Sequence, residues 1–323
     1  MIVDLHVHVF ADTPNHGWLS DELHGRSSMR FIRWRLGLPS VRGAVFEQAV
    51  AAKLQATVAA TPQLHAAVVL AFDAVYDQAG NRDEANTHLH VTNDYVARLT
   101  EGRADLLFGA SIHPYRPDAV AELERCVQRG AVLLKWLPIV QNFNPSDPRC
   151  LPFYEALAHH RLPLLCHTGG EQSLIALDPS VADPLLLEPA LKAGVTVIAA
   201  HCGTRSQPVE TDYVPAFVRL AHEYEHCYGD TSALNLPARS YAYDTILEDP
   251  VVRDKLVHGS DWPVMPVPTR RIGWLQAAKL LLHESNWMRR DIAIKQRLGF
   301  DEAYWQRGAT LLRRRDVSSP APA

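Results

Sequence analysis

The stretch IVDLHVHVF, residues 2–10, has the apolar and β-branched composition of a buried strand. Seven further runs share this composition, and segments of helical pattern separate them. Apolar runs that alternate with helices are typical of parallel strands covered on both faces. Eight such units predict an α/β protein folded as a single (β/α)8 TIM barrel. The other seven runs are residues 65–73, 105–114, 131–138, 162–170, 195–203, 226–233 and 255–263.

Two parts of the chain exceed what a minimal barrel needs. The connection after the first run spans about residues 11–61 and contains SMRFIRWRLG, residues 28–37, which predicts an amphipathic lid helix. Loops of this length commonly serve as lids or binding elements. Residues 270–315 predict two or more additional helices. We therefore expect one hydrolase barrel over residues 1–315 and a disordered tail over residues 316–323.

Composition narrows the classes of partner. The net charge is −4, and residues 313–315 form the only dense basic cluster, so we expect no nucleic-acid partner. No apolar segment is long enough to cross a bilayer and no signal peptide is evident, so we expect no membrane partner. Five scattered cysteines without a C-x-x-C pair indicate a reducing, cytoplasmic setting and no thiolate zinc site. A homo-oligomer is compatible with the sequence.

Within the first run, His6 and His8 are two residues apart. Side chains alternate along a strand, so both rings are expected on one face together with Asp4, with Val3 and Leu5 on the other. The run ends soon afterwards, at the carboxyl face of the barrel where active sites lie. Two imidazoles at that position could bind one metal ion.

Four more polar residues recur where later apolar runs give way to loops. His167 follows Lys135 by 32 positions, His201 follows His167 by 34, and Asp261 follows His201 by 60. These steps correspond to one, one and two βα units, which places the residues at similar heights on their strands. Histidine and carboxylate ligands suit zinc, manganese or iron, and zinc is the metal we expect, with one or two ions per chain.

A second H-x-H pattern occurs in THLHV, at His88 and His90. No apolar strand precedes it, so these rings are expected to face solvent or a helix start. The pattern is therefore not assigned to the metal site.

With these motifs in view, the chain resembles the amidohydrolase superfamily of metal-dependent barrel hydrolases. It is most similar to the amidohydrolase-related branch, which includes aminocarboxymuconate semialdehyde decarboxylase-like enzymes and several lactone hydrolases. The motifs are DLHVH, CHTGG, AAHCG and HGSDWP. The resemblance implies that His6, His8 and Asp261 bind a metal. It also implies that His167 and His201 bind a second metal or flank the first.

Lys135 has two alternative roles. The segment LLKWLP resembles the dihydroorotase-like members, in which the equivalent lysine is carboxylated and bridges two metals. An ammonium has no lone pair for a cation, whereas a carbamate supplies anionic oxygens, and burial of a lysine favours the neutral amine. In the decarboxylase-like branch there is one metal and the lysine stays unmodified.

These features predict a hydrolase of a small, carboxylate-bearing lactone, ester or amide. A metal-activated hydroxide would attack the carbonyl, with Asp261 as general base and His201 as a second catalytic residue. The alternative is a mononuclear, non-oxidative decarboxylase of the aminocarboxymuconate semialdehyde decarboxylase type. Arginines in the loops suit an anionic small-molecule substrate. The expected substrate-binding residues are Asp73, His113, Arg116, Arg205 and Arg239.

Overall fold

The computed structural model describes residues 1–313, and its centre is a nearly closed barrel of eight parallel strands surrounded by helices. Each of the eight predicted runs coincides with one of these strands, and only Leu64 of β3 lies one residue outside its run, so the TIM-barrel prediction is confirmed. The barrel strands, in their order in the sheet, are β1 (Ile2–His8), β3 (Leu64–Leu70), β5 (Leu106–Ala110), β6 (Leu133–Trp136), β7 (Leu164–His167), β8 (Val197–Ala200), β9 (Cys227–Asp230) and β10 (Leu256–Val257).

Main-chain hydrogen bonds between the first and last strand regions close the barrel. Leu5 donates its N–H to the His258 carbonyl at 3.0 Å, and His8 donates to the Trp262 carbonyl at 2.7 Å. The Asp261 N–H donates to the His6 carbonyl at 2.9 Å. The closure therefore joins the backbone of the H-x-H segment directly to the backbone of Asp261.

Helices and short turns cover the barrel. The α-helices are α1 (Asp21–Gly25), α2 (Ser27–Leu36), α3 (Ala44–Ala59), α4 (Asn93–Thr100), α5 (Ala119–Gln128), α6 (Pro138–Gln141), α7 (Leu151–His159), α8 (Glu188–Lys192), α9 (Val214–Glu223), α10 (Tyr243–Ile246), α11 (Pro250–Arg253), α12 (Trp274–His283), α13 (Trp287–Arg297) and α14 (Glu302–Arg313). Short 3₁₀ helices span Pro148–Cys150, Pro179–Ala182, Pro184–Leu187, His201–Gly203, Ser240–Ala242 and Arg270–Ile272.

A register irregularity in β1 corrects the predicted orientation of three residues. Val3 pairs with Ala66 and Asp4 with Ala67, but the register then shifts before Val7. Val3 and Leu5 join the apolar core of the barrel interior, whereas Asp4 lies on the outer face. A bulge places two successive residues on one side, so simple alternation fails across it. His6 and His8 still share the inner face, as predicted.

The long insertion after β1 contains α1, α2 and α3, and its second helix is the predicted lid helix. Met29, Ile32 and Leu36 form the buried stripe of α2. The insertion also contributes strand β2 (Gly17–Leu19), which pairs antiparallel with β4 (Leu89–Val91). The second H-x-H pattern thus lies in a short strand that the sequence analysis did not predict. Pairing with a distant segment makes this three-residue strand, which has no strong local signal.

Three helices, α12 to α14, form the C-terminal part of the described chain, in agreement with the prediction of additional helices. Leu311 and Leu312 of α14 pack with Val3 and Leu5 in the barrel's interior core. The predicted tail, residues 316–323, lies outside the described residues. Within residues 1–313, no helix is both long and apolar enough to span a membrane.

Candidate metal centre

Three side chains form a compact triangle at the carboxyl end of the barrel. Nε2 of His6 lies 3.1 Å from Nε2 of His8 and 3.3 Å from Oδ1 of Asp261. The His8 Nε2 to Asp261 Oδ1 distance is 3.2 Å. Ligands of a tetrahedral zinc ion lie about 3.3–3.4 Å apart, because each bond is about 2.0–2.1 Å long. The triangle therefore has the dimensions of one face of a metal coordination shell.

Hydrogen bonds at Nδ1, the ring nitrogen that points away from the triangle, orient the ring of His6. Its Nδ1 lies 2.7 Å from Asp230 Oδ2 and 2.9 Å from the Ser232 hydroxyl. A carboxylate at Nδ1 favours the tautomer in which Nδ1 carries the proton, which leaves the Nε2 lone pair for a cation. Nδ1 of His201 similarly lies 2.9 Å from the Ser232 carbonyl. Both rings are thus prepared to act as ligands through Nε2.

Two residues of the centre adopt left-handed backbone conformations. His201 has φ +60° and Asp261 has φ +62°, values that cost non-glycine residues free energy. Such conformations persist only where the surroundings fix them, and they cluster at functional sites. His201 directly follows Ala200, which faces the barrel interior, so the left-handed turn redirects the chain at this point.

His167 and Lys135 complete the inner ring of polar side chains. Lys135 Nζ lies 3.1 Å from His6 Nε2, and the ring centroids of His167 and His201 are 4.9 Å apart. Within the described chain, Nε2 of the buried His167 has no hydrogen-bond partner. A buried nitrogen without a partner is costly unless a ligand completes it. The donor set and this nitrogen therefore fit a divalent cation.

Burial keeps these groups in the protonation states that a cation requires. Burial, together with neighbouring positive groups, lowers the pKa of His6, His167 and His201 well below the ordinary histidine value. The rings are neutral and their lone pairs are free at neutral pH. Burial raises the pKa of Asp261, but His6 and His8 outweigh it, so the pKa stays below its ordinary value. Burial also lowers the pKa of Lys135.

The sequence profile of the amidohydrolase family matches residues 3–292. The chain belongs to the amidohydrolase family. Membership implies an enzyme, and the histidine and aspartate groups described above agree with the metal dependence of this family. No curated protein matches the sequence.

Solved structures share the barrel of this amidohydrolase at low sequence identity. The uncharacterised TIM-barrel protein Bb4693 from Bordetella bronchiseptica has a TM-score of 0.60 and 17% identity, over 92% of this chain and 97% of that one. A candidate 2-pyrone-4,6-dicarboxylic acid hydrolase from Pseudomonas putida has a TM-score of 0.55 and 13% identity, over 96% and 97%. The 5-carboxyvanillate decarboxylase from Sphingomonas paucimobilis has a TM-score of 0.57 and 12% identity, over 97% and 98%. At these identities the likeness concerns the fold.

The amidohydrolase barrel brings all six predicted metal ligands to one end. The compact triangle is His6, His8 and Asp261, while Lys135 contacts His6. A second possible grouping joins His6 and His201 to Asp230. We interpret Asp230 as the hydrogen-bond partner of His6 rather than as a metal ligand. The Ser232 hydroxyl contacts Asp230 as well as Nδ1 of His6 and Nδ1 of His201, so all three residues belong to one hydrogen-bond network. The ligand roles themselves stay predictions.

Arg239 is the predicted substrate-binding residue with the most unusual environment. Its guanidinium is buried and donates to Thr204 Oγ1 at 2.7 Å and to the Gly170 carbonyl at 2.5 Å. Its Nε has no hydrogen-bond partner among the described residues. Burial lowers the pKa of Arg239, although the nearby Glu171 and Asp261 oppose that shift. This Nε–H therefore keeps a donor capacity that no described residue uses.

The other predicted substrate-binding residues are engaged elsewhere in the protein. Asp73 accepts from the His113 N–H at 2.8 Å and from Arg116 Nη1 at 3.1 Å. His113 Nε2 lies 2.9 Å from the Gln141 carbonyl. The Arg205 guanidinium stacks 4.8 Å above the Tyr241 ring. Their role in binding a substrate stays a prediction.

Sequence reasoning missed Asp230, Ser232 and Glu171. Asp230 lies within the seventh predicted run and ends β9, 29 positions after His201 and 31 before Asp261, so the βα spacing could have found it. Glu171 has no such signal, because it belongs to the loop after β7. Its Oε1 accepts the N–H groups of Ser173 and Leu174, and its Oε2 lies 3.8 Å from His167 Nδ1.

Two adjoining cavities open at this face. The cavity above the triangle has a volume of about 50 Å³ and is roofed by apolar side chains, including Ile32 of α2 and Leu174. That space holds only a few water molecules. The neighbouring cavity has a volume of about 270 Å³ and shares Glu171 with the first. Space for most of a small substrate therefore lies beside the triangle.

Proposed function

We propose that the protein is a metal-dependent hydrolase of a small, carboxylate-bearing lactone, ester or amide. The observation that carries the proposal is the His6, His8 and Asp261 triangle, whose distances of 3.1 to 3.3 Å match a coordination face. Zinc is the proposed metal, because nitrogen ligands with one carboxylate suit it. A bound divalent cation would activate water and polarise the scissile carbonyl.

Asp261 is the proposed general base. One of its oxygens faces the two rings, and its lowered pKa keeps the carboxylate ionised at neutral pH. It can accept the proton of the attacking water and return it to the leaving oxygen or nitrogen. His201, whose Nδ1 donates to the Ser232 carbonyl, is proposed as the second catalytic residue, because its Nε2 lone pair could accept a hydrogen bond from the attacking water and orient it.

Arg239 is the proposed contact for the substrate carboxylate. Its guanidinium donates to the carbonyl of Gly170, which lines the 270 Å³ cavity beside the triangle. A charge-assisted hydrogen bond to its free N–H would contribute about 1.5–3 kcal/mol to binding. The remainder of the substrate would extend past Glu171 into the 270 Å³ cavity.

A mononuclear decarboxylase is the second candidate, because the triangle by itself supplies the ligand face of one metal and suits either kind of enzyme. The three atoms of His6, His8 and Asp261 form one ligand face, and Lys135 lies against His6. With an unmodified lysine this arrangement would hold one metal. A carboxylated Lys135 would instead bridge two metals and support the hydrolase.

The cellular setting is also part of this proposal. The five cysteines are all buried and free, which supports a reducing compartment such as the cytoplasm.

Metal content and product analysis test the two candidates together. Purified protein is loaded with Zn²⁺, its bound metal is counted by mass spectrometry, and the mass of the peptide containing Lys135 is measured. The loaded protein is then given a panel of carboxylate-bearing lactones, esters, amides and aromatic carboxylic acids. We expect acid release from a lactone, ester or amide. Release of CO2 instead would establish the decarboxylase, and the absence of tightly bound metal would refute both.

A further inference from the structure

We propose that Lys295, outside the barrel, is a positioning residue for the metal centre, because it fixes the backbone that carries Asp261. Lys295 lies on α13 and its side chain is fully buried. Its Nζ donates to the Gly259 carbonyl at 2.7 Å. The inference rests on the proposed metal dependence.

Three consecutive residues in the loop after β10 are each anchored by a different group. Lys295 binds the Gly259 carbonyl from the helical layer. The Asp4 carboxylate accepts the Ser260 N–H at 2.9 Å, and the His6 carbonyl accepts the Asp261 N–H at 2.9 Å. Because Asp261 has a left-handed backbone, the segment needs such anchoring to keep its conformation.

Gly259 also lies directly behind the metal triangle. A Cβ at this position would lie 2.9 Å from His6 Cβ and 3.3 Å from Asp230 Oδ2. The peptide of Gly259 therefore packs against the residue that holds the His6 ring and against His6 itself. A displacement of this peptide would therefore change the positions of both Asp261 and His6 in the triangle.

The charge of Lys295 is compensated within the same cluster. Asp291, one helical turn earlier, lies 2.5 Å from Nζ through Oδ2. Its Oδ1 accepts from Asn235 Nδ2 at 2.7 Å, and Asn235 accepts from Tyr243. Asn235 follows β9 and the Asp230 to Ser232 segment in the chain. The Lys295–Asp291 pair thus connects the loops after β9 and β10, which contribute Asp230, Ser232 and Asp261.

The test compares metal affinity among variants with matched effects on folding. In Lys295→Met/Asp291→Asn, both charges are removed together, so no unpaired buried charge remains, and the Gly259 carbonyl loses its donor. The control is Asn286→Ala, which removes the N-cap of the same helix without touching Gly259. Zn²⁺ affinity is measured by competition with a chelating dye, Co²⁺ absorption reports ligand geometry, and thermal unfolding of the metal-free proteins reports stability.

We expect the double variant to bind Zn²⁺ about 10–100-fold more weakly, with a changed Co²⁺ spectrum, as for other residues that support metal ligands. Asn286→Ala should unfold at a lower temperature and keep both the affinity and the spectrum of the wild type. Wild-type affinity in the folded double variant would overturn this inference alone. If the wild type itself binds no divalent metal, the proposed function fails and the inference fails with it.

If the double variant does not fold, Lys295→Leu/Asp291→Asn replaces it, so that again no unpaired buried charge remains. The shorter, apolar leucine keeps the helix and cannot donate to Gly259. The same loss of Zn²⁺ affinity and the same spectral change are expected, and wild-type values would overturn the inference.

Discussion

Two groups of polar side chains occupy neighbouring strand ends of the barrel, and they differ in how many of their hydrogen bonds the protein itself satisfies. Around the triangle, His167 Nε2 and Arg239 Nε are buried without partners among the described residues. Around Asp73, the carboxylate accepts from two backbone N–H groups and from Arg116, and His113 donates to a carbonyl. The first group keeps hydrogen-bonding capacity that a ligand could use, whereas the hydrogen bonds of the second are satisfied within the protein.

The difference shows that position at a strand end does not by itself distinguish a ligand site from a structural hydrogen-bond network. Both groups follow apolar strands at the carboxyl face, and both were predicted to be functional. Buried polar atoms without hydrogen-bond partners, rather than position at a strand end, therefore indicate a ligand site. The following experiments test this distinction, beginning with the largest expected effect.

Asp261→Asn should lower kcat/KM at least about 1,000-fold, because an amide neither accepts the proton of water nor supplies an anionic ligand. Steady-state kinetics with the best substrate of the panel measure this loss. The control is Asp94→Asn, which changes a carboxylate paired with Arg125 on the helical surface and should retain activity. Full activity of Asp261→Asn would contradict the proposed mechanism.

Arg239→Met should raise KM about 10–100-fold for carboxylate-bearing substrates, because the variant lacks the charge-assisted contact. The effect should shrink for the methyl ester of the same substrate. Arg219→Met serves as control, since the Arg219 side chain is 61% exposed and lies in the helical layer on α9. Equal KM values for acid and ester in the wild type would exclude carboxylate recognition at Arg239.

Asp73→Asn should destabilise the fold by about 1–3 kcal/mol, because Arg116 loses its buried partner. Urea unfolding measures this change in the free energy of unfolding. Asp118→Asn removes the second carboxylate that pairs with Arg116. Because the Asp118 side chain is 59% exposed, this substitution should lower the free energy of unfolding by less than about 1 kcal/mol. A large loss of activity without a loss of stability in Asp73→Asn would instead support its predicted role in substrate binding.

The pH dependence of stability should show the burial of His113. Burial lowers its pKa from 6.5 to about 4, so the unfolded chain takes up a proton between these values while the folded chain does not. Stability from this group is therefore complete above pH 6.5 and falls as the pH decreases towards 4. Between pH 7.5 and pH 5.5 the loss should be about 1 kcal/mol.

The difference between the unfolding free energies at these two pH values is the measured quantity. His113→Gln should reduce this difference, whereas the control His283→Gln, at an exposed position, should leave it unchanged. An unchanged difference in His113→Gln would show that the ring is accessible to protons in the folded state.

Much of the fold and part of the site followed from local patterns. Eight apolar runs gave the positions of all eight barrel strands, because burial on both faces requires continuous apolar sequence. Alternation correctly put His6 and His8 on one face. It failed at Asp4, because the bulge that turns this residue outward depends on the register with β3.

The sequence by itself determined that the six predicted ligands reach the carboxyl end of the barrel, since strand period and βα spacing are local properties of the chain. Only the tertiary structure decided which of them are left with free bonding capacity. Asp230 behind His6, the left-handed Asp261 and the unpartnered Nε of Arg239 all depend on contacts between distant segments. Hydrogen-bond satisfaction is a property of the packed molecule, so no single stretch of sequence encodes it.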